Sequence, residues 1–291
     1  MGGNASTLSL DKDCSSTLRL MSYNVEWGFL NLPNDIHSDS CGHPIPNTPE
    51  AQKEHLNLIS KNIGFLTPDI CFLQEMGSLQ AVQYISDQIN QMFGIKYDCN
   101  YSNGNEQGNQ GVGLLIKESL TESCSVCNIP NFRLNRALGV TLKTSSNTYK
   151  IVGVHLKSLY DQKIQKDEEE QKEQLQSVID WIGNPTNAII CGDLNNVPTS
   201  SPIQLVKDNS YEDILASDKY VDNITGNTYT EFHGKNGKES GSKIDYIFKT
   251  NDIDLVSSHI IDIQREASNQ ISSLRGENSD HLPVIGIFTL Q

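Results

Sequence analysis

One short segment, residues 189–196 with the sequence Ile-Ile-Cys-Gly-Asp-Leu-Asn-Asn, limits the fold more than any other part of the chain. Its apolar first half predicts a buried strand in a sheet that is covered on both faces. Pro198 prevents the strand from continuing. The strand therefore carries Asp193 and Asn195 to the edge of the sheet, which is where α/β folds hold their ligands and catalytic groups.

The same pattern, an apolar run with a polar residue at one end, occurs at five further places. The runs lie at residues 18–24, 69–75, 150–155, 243–248 and 279–284, and their polar ends are Asn24, Glu75, His155, Asp245, and Asp280 with His281. All of these side chains can bind a metal ion or form the hydrogen bonds that proton transfer needs. We therefore predict one active site that is assembled from the whole chain.

The spread of these polar ends favours a single domain. They run from residue 24 to residue 281, so a boundary between independent domains would divide the site. We predict a flexible leader over residues 1–17 and one domain over residues 18–291. Strand-like runs alternate with helical periodicity at residues 51–66, 79–92 and 161–182, which indicates an α/β class with mixed sheets. The acidic run at residues 167–170 is interpreted as solvated, and the segments around Pro198 and Pro202 as loops.

The charge of the chain restricts its partners. A net charge of −14 and a pI of about 4.8 are unlike those of a dedicated duplex-DNA binder, which usually has a basic face. A small phosphorylated substrate or a weakly held nucleic acid fits better, and abundant carboxylates suit divalent cations. Mean hydropathy is −0.42, and no apolar run approaches the roughly 20 residues of a membrane span. We expect a soluble monomer without a transmembrane segment.

Cysteines and the N-terminus bear on the compartment. Of the seven cysteines, Cys71 and Cys191 lie in apolar strand runs and are interpreted as core thiols. Cys124 and Cys127 form a lone CxxC, which predicts no zinc site and leaves a disulfide open. The odd count, without an apolar secretory segment, favours an intracellular protein of the cytoplasm or nucleus. Residues 1–6 fit the pattern for N-myristoylation of Gly2, which would add weak membrane association; the alternative is a plain polar leader.

The chemistry of the polar ends points to phosphate esters. A set of ligands dominated by oxygen favours Mg²⁺, with Mn²⁺ as a substitute, over zinc, which prefers more His or Cys. Hydrolysis of a phosphate ester needs a cation on the phosphoryl oxygens, an activated water in line, and assistance to the leaving oxygen. The carboxylates, carboxamides and histidines of this chain can supply all three.

The motifs together resemble those of the endonuclease/exonuclease/phosphatase superfamily, the DNase I-like phosphoesterases. The matching motifs are Ser22-Tyr23-Asn24, Leu73-Gln74-Glu75, Val154-His155-Leu156-Lys157-Ser158, Gly192-Asp193-Leu194-Asn195, Lys243-Ile244-Asp245-Tyr246-Ile247 and Ser279-Asp280-His281. They occur in the family's order and cover residues 18–290. The resemblance implies a four-layered α/β/β/α sandwich of two mixed β-sheets flanked by helices, with the site at one edge.

The resemblance also implies roles for the metal and water ligands. Glu75 is similar to the principal Mg²⁺ ligand, with Asn24 beside it and Asp280 near the metal or the leaving group. Asp193 resembles the residue that orients or activates the attacking water. Asn195 resembles a catalytic residue that also binds the substrate phosphate.

The remaining implied roles concern protons and phosphate. Asp245 and His281 resemble the family's dyad, in which the carboxylate fixes the imidazole tautomer and favours its charged form. His155 resembles a second catalytic histidine found in the DNase I and sphingomyelinase-like branches. Arg136 resembles a phosphate contact, with Arg133 as an alternative.

Other readings of individual residues stay open. Asp245 could form a surface pair with Lys243, and Tyr101, Glu106 and His233 lie in loops that could reach the site, although a structural role is favoured for each. The remaining histidines have no supporting context and are interpreted as surface residues: His37, His43, His55 and His259.

The substrate is not determined by these motifs. A Mg²⁺-dependent nuclease-type phosphodiesterase is the leading hypothesis, and a phospholipid, phosphoinositide or small-nucleotide phosphoesterase is the alternative. A non-catalytic binding module that retains the fold is an alternative from another class. The loops at residues 28–50, 100–111 and 217–240 should shape the substrate cleft.

Overall fold

Two six-stranded sheets dominate the computed structural model of the protein. The structure describes residues 17–31, 46–102, 110–159, 163–216, 229–235, 238–261 and 279–291. In chain order the strands are β1 (Thr17–Gly28), β2 (Ile70–Met76), β3 (Tyr97–Tyr101), β4 (Gly111–Lys117), β5 (Cys124–Asn128), β6 (Ala137–Lys143), β7 (Thr148–His155), β8 (Ala188–Asp193), β9 (Tyr211–Asp213), β10 (Glu231–Lys235), β11 (Lys238–Ser242), β12 (Asp245–Thr250), β13 (Asp254–Ile260) and β14 (Val284–Thr289).

Both sheets are mixed, as predicted. The first has the order β13-β14-β1-β2-β4-β3, and the second has the order β5-β6-β7-β8-β12-β9. Each contains one parallel pair, β1 with β2 and β7 with β8, among antiparallel neighbours. Strands β10 and β11 form a separate hairpin, so part of the predicted loop at residues 217–240 is in fact ordered as two strands.

Within the described ranges, four α-helices flank the sheets: α1 (Pro49–Leu66), α2 (Leu79–Phe93), α3 (Ile164–Ile182) and α4 (Ser201–Asp208). The N-cap residues of α1 and α2 each accept a hydrogen bond from a backbone amide of the first turn, and α2 ends at Gly94 with φ +69°. The first three helices match the predicted periodic segments. The segment of α4 was expected to be a loop, which is wrong, because Pro202 lies in the first turn, where a helix tolerates proline.

Period-two alternation divides the apolar residues among three layers of core. On β1, Leu18 and Leu20 face the second sheet, whereas Met21 and Tyr23 face α1 and α2. A third cluster joins the outer face of the second sheet to α3 and α4. The sheets approach closely at Gly153, where a Cβ atom would lie 2.0 Å from the ring of Phe72. The predicted α/β/β/α sandwich is thus confirmed.

Several smaller expectations are corrected. His55 was interpreted as a surface residue, but it is buried and its Nε2 lies 2.9 Å from the carbonyl oxygen of Val25. In the acidic run at residues 167–170, Asp167 is buried, and its carboxylate faces the Lys157 ammonium at 3.8 Å. Cys124 and Cys127 carry free thiols and form no disulfide with each other.

Some predictions fall outside the described residues. They concern Gly2, His37, His43, Glu106, the side chain of His233 and almost all of the leader at residues 1–17. None of the helices in the described ranges combines the length and hydropathy needed to cross a lipid bilayer.

Candidate active site

Three neighbouring strands of the second sheet bring three of the predicted residues into one row. His155 at the end of β7 pairs in register with Asp193 at the end of β8, and Asp193 pairs with Asp245 at the start of β12. Each continues an inward-facing set of apolar residues, so each side chain lies at the end of the core between the sheets. All three are buried. The core therefore gives way to a polar site at this edge.

The first sheet contributes Asn24 and Glu75 from its parallel pair. The Asn24 Nδ2 atom lies 2.9 Å from Asp193 Oδ2, 3.2 Å from Glu75 Oε1 and 3.4 Å from His281 Nε2. Glu75 has φ +62°, and the pairing of β2 with β4 is irregular between Leu73 and Met76. Such an irregularity re-aims a side chain, which explains how Glu75 reaches Asn24.

The turn after β8 fixes Asp193 and Asn195 against each other. The backbone amide of Asn195 donates to Asp193 Oδ1 at 2.8 Å, and its side-chain amide donates to the Leu156 carbonyl at 3.1 Å. Gly192, near the end of β8, has φ +142°, and a Cβ atom there would lie 2.0 Å from the Val154 carbonyl oxygen. The Gly-Asp-x-Asn motif thus needs glycine at position 192 for both conformation and space.

Asp245 and His281 form a buried pair. The His281 Nδ1 atom lies 2.8 Å from Asp245 Oδ2, whereas Asp245 Oδ1 has no hydrogen-bond partner within the described part of the chain. The alternative pairing of Asp245 with Lys243 is wrong, because the Lys243 ammonium contacts Asp213. Backbone amides of Ile244 and Asp245 donate to Thr230 Oγ1 and hold the start of β12.

The electrostatics of the site separate its two histidines. Burial lowers the pKa of His281, but the carboxylates of Asp245, Asp193 and Asp280 outweigh burial and hold that pKa well above its usual range. Burial, reinforced by the charges of Arg136 and His281, lowers the pKa of His155 well below its usual range. These shifts favour the charged form of His281 and the neutral form of His155.

The carboxylates of the site need a positive partner. Burial raises the pKa of Asp193 well above its usual value and also raises the pKa of Glu75. Burial and the neighbouring Asp280 and Glu75 raise the pKa of Glu26, a residue that the sequence did not single out, to about 7. This concentration of buried acidic oxygens is what a divalent cation would offset.

A divalent cation fits these residues. Carboxylate oxygens of Glu75 and Asp193 and the imidazole Nε2 of His281 surround Asn24 Nδ2, and Asp245 Oδ1 is a buried oxygen without a hydrogen-bond partner among the described residues. Two groups of potential ligand atoms each lie within 4.8 Å of one another: Asp193, Asp245 and His281, and Glu231, Asp280 and His281. Asp280 is near enough to Glu75 to raise its pKa.

The two arginines differ in position. Arg133 pairs with Glu170 of α3 and is largely exposed. Arg136 donates to the side chain of Gln110, which in turn donates to Glu75. The structure thus joins Arg136, and not Arg133, to the site. Tyr101, predicted to lie in a loop, is in fact the last residue of β3; it donates its hydroxyl hydrogen to the Met76 carbonyl oxygen and so supports the end of β2.

Helix α3 supplies polar contacts that the sequence did not indicate. Gln171 donates to the Lys157 carbonyl at 2.6 Å and accepts from Asn196 Nδ2 at 2.9 Å. Gln174 accepts from the Lys157 amide at 3.0 Å. Both glutamines are buried, so they clamp the segments that follow β7 and β8. Their spacing from the buried Asp167, at positions i, i+4 and i+7, was the one signal available in the sequence.

Comparisons with solved structures recover the same architecture. D. rerio TDP2, complexed with a single-strand DNA product, shares 18% identity with a TM-score of 0.60, over 94% of this chain and 99% of that chain. A Bacteroides vulgatus endonuclease/exonuclease/phosphatase shares 14% with a TM-score of 0.63, over 95% and 100%. ANGEL2, a 2',3'-cyclic phosphatase in complex with adenosine-2',3'-vanadate, shares 18% with a TM-score of 0.61, over 94% and 96%.

Sequence comparison assigns the family. No curated protein matches the chain, and at the identities above the structural likeness shows the fold alone. The model of the Endonuclease/Exonuclease/phosphatase family, however, matches residues 21–281, which contain every polar strand end described above. This protein therefore belongs to the endonuclease/exonuclease/phosphatase family of phosphoester hydrolases.

Proposed function

We propose that the protein is a divalent-cation-dependent phosphodiesterase. The observation that carries this proposal is the meeting of four polar side chains, in which Asn24 Nδ2 lies within 3.4 Å of Glu75, Asp193 and His281. The four residues are far apart in the sequence, from Asn24 to His281, and both sheets contribute to the group. A purely structural role would not require so many buried ionisable groups at one point.

In this proposal Glu75, Asn24 and Asp280 hold the cation, which we take to be Mg²⁺, with Mn²⁺ as a substitute. When bound, the cation would stabilise negative charge on the phosphoryl oxygens. The two donors to Glu75, Asn24 and the Trp27 amide, fix the orientation of its carboxylate.

Asp193 orients and activates the attacking water. Its Oδ1 is held by the Asn195 amide, and its Oδ2 lies between Asn24 and the side chain of Asn195. Asn195 and Arg136 bind the substrate phosphate, the first as a neutral donor and the second as a charged one. This arrangement supports in-line attack, because Asp193 and Asn195, two positions apart in the chain, would hold the water and the phosphate close together.

His281 stabilises the negative charge that develops in the reaction. Asp245 accepts a hydrogen bond from His281 Nδ1, so Nε2 is the nitrogen directed at the substrate side, where Asn24 and Asp193 lie. The neutral His155 is buried, and its Nε2 lies 3.7 Å from Asp193 Oδ2. It assists as an uncharged hydrogen-bonding group. The separation of the two pKa values gives the histidines different roles.

A nucleotide-type phosphodiester is the substrate class that we favour. Two of the similar structures carry such molecules, a single-strand DNA product in TDP2 and adenosine-2',3'-vanadate in ANGEL2. The net charge of −14 argues for a short or weakly held nucleic acid. A nuclease-type activity on single strands is consistent with both observations.

Hydrolysis of three substrates would test the proposal: plasmid DNA, a short single-stranded oligonucleotide and bis-p-nitrophenyl phosphate, each with Mg²⁺ and with EDTA. The blank is His281→Ala. We expect cleavage of the oligonucleotide that requires Mg²⁺ and disappears in the blank. Turnover of only bis-p-nitrophenyl phosphate would redirect the search to lipid and small-nucleotide esters. No turnover of any substrate would contradict the proposal and favour a binding module.

A further inference from the structure

Gln110 lies between the two charged groups to which the proposed function gives different tasks. It directly precedes β4, and its Nε2 donates to Glu75 Oε2 at 3.2 Å. On its other side, Arg136 Nη2 donates to Gln110 Oε1 at 3.2 Å. The side chain of Gln110 is thus a continuous hydrogen-bonded bridge from Arg136 to Glu75. All three side chains are partly buried at this contact.

A side-chain amide suits this position because of its two different ends. A carboxylate only accepts hydrogen bonds and a guanidinium only donates them, whereas an amide does both. Gln110 can therefore satisfy Glu75 and Arg136 at once. Asparagine offers the same groups but is one methylene shorter. A carboxylate at position 110 would leave Glu75 facing a second acceptor.

The bridge also keeps the two charges apart. A direct ion pair between Arg136 and Glu75 would use the guanidinium that we assign to phosphate and the carboxylate that we assign to the cation. With the amide between them, the guanidinium and the carboxylate are both oriented by the side chain of Gln110. Glu75 receives further donors from Asn24 and the Trp27 amide, so Gln110 completes its orientation on the Arg136 side.

We propose that Gln110 is a positioning residue that couples cation binding at Glu75 to phosphate binding at Arg136. When a cation fixes the Glu75 carboxylate, Gln110 is fixed with it, and Arg136 is then held ready for the phosphate. The reverse order of binding must give the same gain, because such coupling is reciprocal. This inference rests on the proposed function, since it uses the roles given there to Glu75 and Arg136.

The first test measures binding without turnover. Calorimetry gives the affinity for inorganic phosphate with and without magnesium chloride, for the wild type and for Gln110→Met. Methionine has a similar volume but can neither donate nor strongly accept a hydrogen bond. We expect Mg²⁺ to tighten phosphate binding in the wild type and this enhancement to fall about fivefold or more in Gln110→Met. The same enhancement in both proteins would overturn the proposal.

Control variants separate positioning from general damage. Gln91→Met makes the same chemical change at an exposed position of α2, and it should bind both ions as the wild type does. Gln110→Asn should recover part of the enhancement, because it restores the donor and the acceptor. Thermal unfolding of all variants without ions should give melting temperatures within a few degrees of one another, which confirms that they fold.

A double-mutant cycle on kcat/KM with bis-p-nitrophenyl phosphate provides the second test. If Gln110 acts through Arg136, the loss caused by Arg136→Ala should be at least about threefold smaller in the Gln110→Met background. Independent, multiplicative losses would contradict the coupling. An active wild type with multiplicative losses refutes the coupling alone. A wild type that binds both ions cooperatively but hydrolyses nothing refutes the proposed function alone.

Discussion

At the scale of single residues, the pairing of Asp245 with His281 is the contact on which the charge of the site depends most. The 2.8 Å contact holds one imidazole nitrogen, and the surrounding carboxylates keep the ring charged despite burial. Neutral asparagine can replace aspartate in size but not in charge. Replacing Asp245 with asparagine therefore tests the effect of its charge on His281 with little change in size.

We predict that Asp245→Asn lowers kcat by about 100- to 1,000-fold, the range typical of a lost group that stabilises developing charge. Its second effect is a fall in the pKa of His281, because burial then acts with less opposition. NMR titration of the ring and the pH dependence of kcat measure both effects. Asp254→Asn, which changes an exposed aspartate of β13, is the control and should leave both unchanged. An unaltered His281 titration in Asp245→Asn would contradict this account.

Glu26 allows a prediction about pH. Its pKa rises from 4.5 to about 7 through burial, Asp280 and Glu75. A carboxyl with a raised pKa binds more protons in the folded than in the unfolded state, so its stabilising contribution is full below pH 4.5 and is lost as pH rises towards 7. In EDTA, the wild type should lose about 1–3 kcal/mol of stability relative to Glu26→Gln over that interval.

Urea unfolding at several pH values measures this difference. Glu122→Gln, which changes an exposed glutamate, should follow the wild-type curve. Parallel curves for wild type and Glu26→Gln would mean that the pKa of Glu26 is not raised in the fold.

At the scale of elements, the turn that follows β8 sets the geometry of the site. Gly192 has φ +142° and lies against the Val154 carbonyl of β7, whereas Gly94 at the end of α2 has φ +69° and has no atom within 4 Å of an added Cβ among the described residues. An added Cβ atom would therefore meet both steric overlap and an unfavourable backbone conformation at Gly192, but only the unfavourable conformation at Gly94.

We predict that Gly192→Ala destabilises the fold by at least about 3 kcal/mol, because backbone strain and overpacking act together. Gly94→Ala should cost only about 1–2 kcal/mol, the penalty of a left-handed residue. Chemical denaturation of both variants gives the comparison. Equal losses would show that the contact with Val154 is not tight.

The elements also show what a sequence can reveal. The positions of Asp193 and Asp245 were predictable, because an apolar run bounded by a polar residue indicates a strand reaching the edge of a sheet. The predicted strand end at Asn24 is wrong, because β1 continues beyond it to Gly28. Helix α4 could not be predicted, because a segment of eight residues that begins near a proline resembles a loop. The buried Asp167 and Gln171 were missed because their partners come from other segments of the chain.

At the scale of the whole molecule, the order of motifs was sufficient to predict the sandwich and its family. Distances between side chains were not predictable from that order. Glu26 and Gln110 could not be predicted as site residues, because nothing in the sequence distinguishes them from other polar residues. Their roles depend on neighbours that are distant in the chain, Asp280 for Glu26 and Glu75 for Gln110. The substrate depends on the same kind of long-range arrangement, which motifs do not encode.

The central claim is that strand ends from both sheets form one cation-dependent hydrolytic centre, and Asp193→Asn tests it most directly. Asparagine preserves size but removes the charge that we assign to water activation. With Mg²⁺ and bis-p-nitrophenyl phosphate, we predict that kcat falls by about 100-fold or more. Because burial disfavours the carboxylate, the melting temperature in EDTA should stay level or rise. A folded Asp193→Asn protein with wild-type kcat would contradict the account.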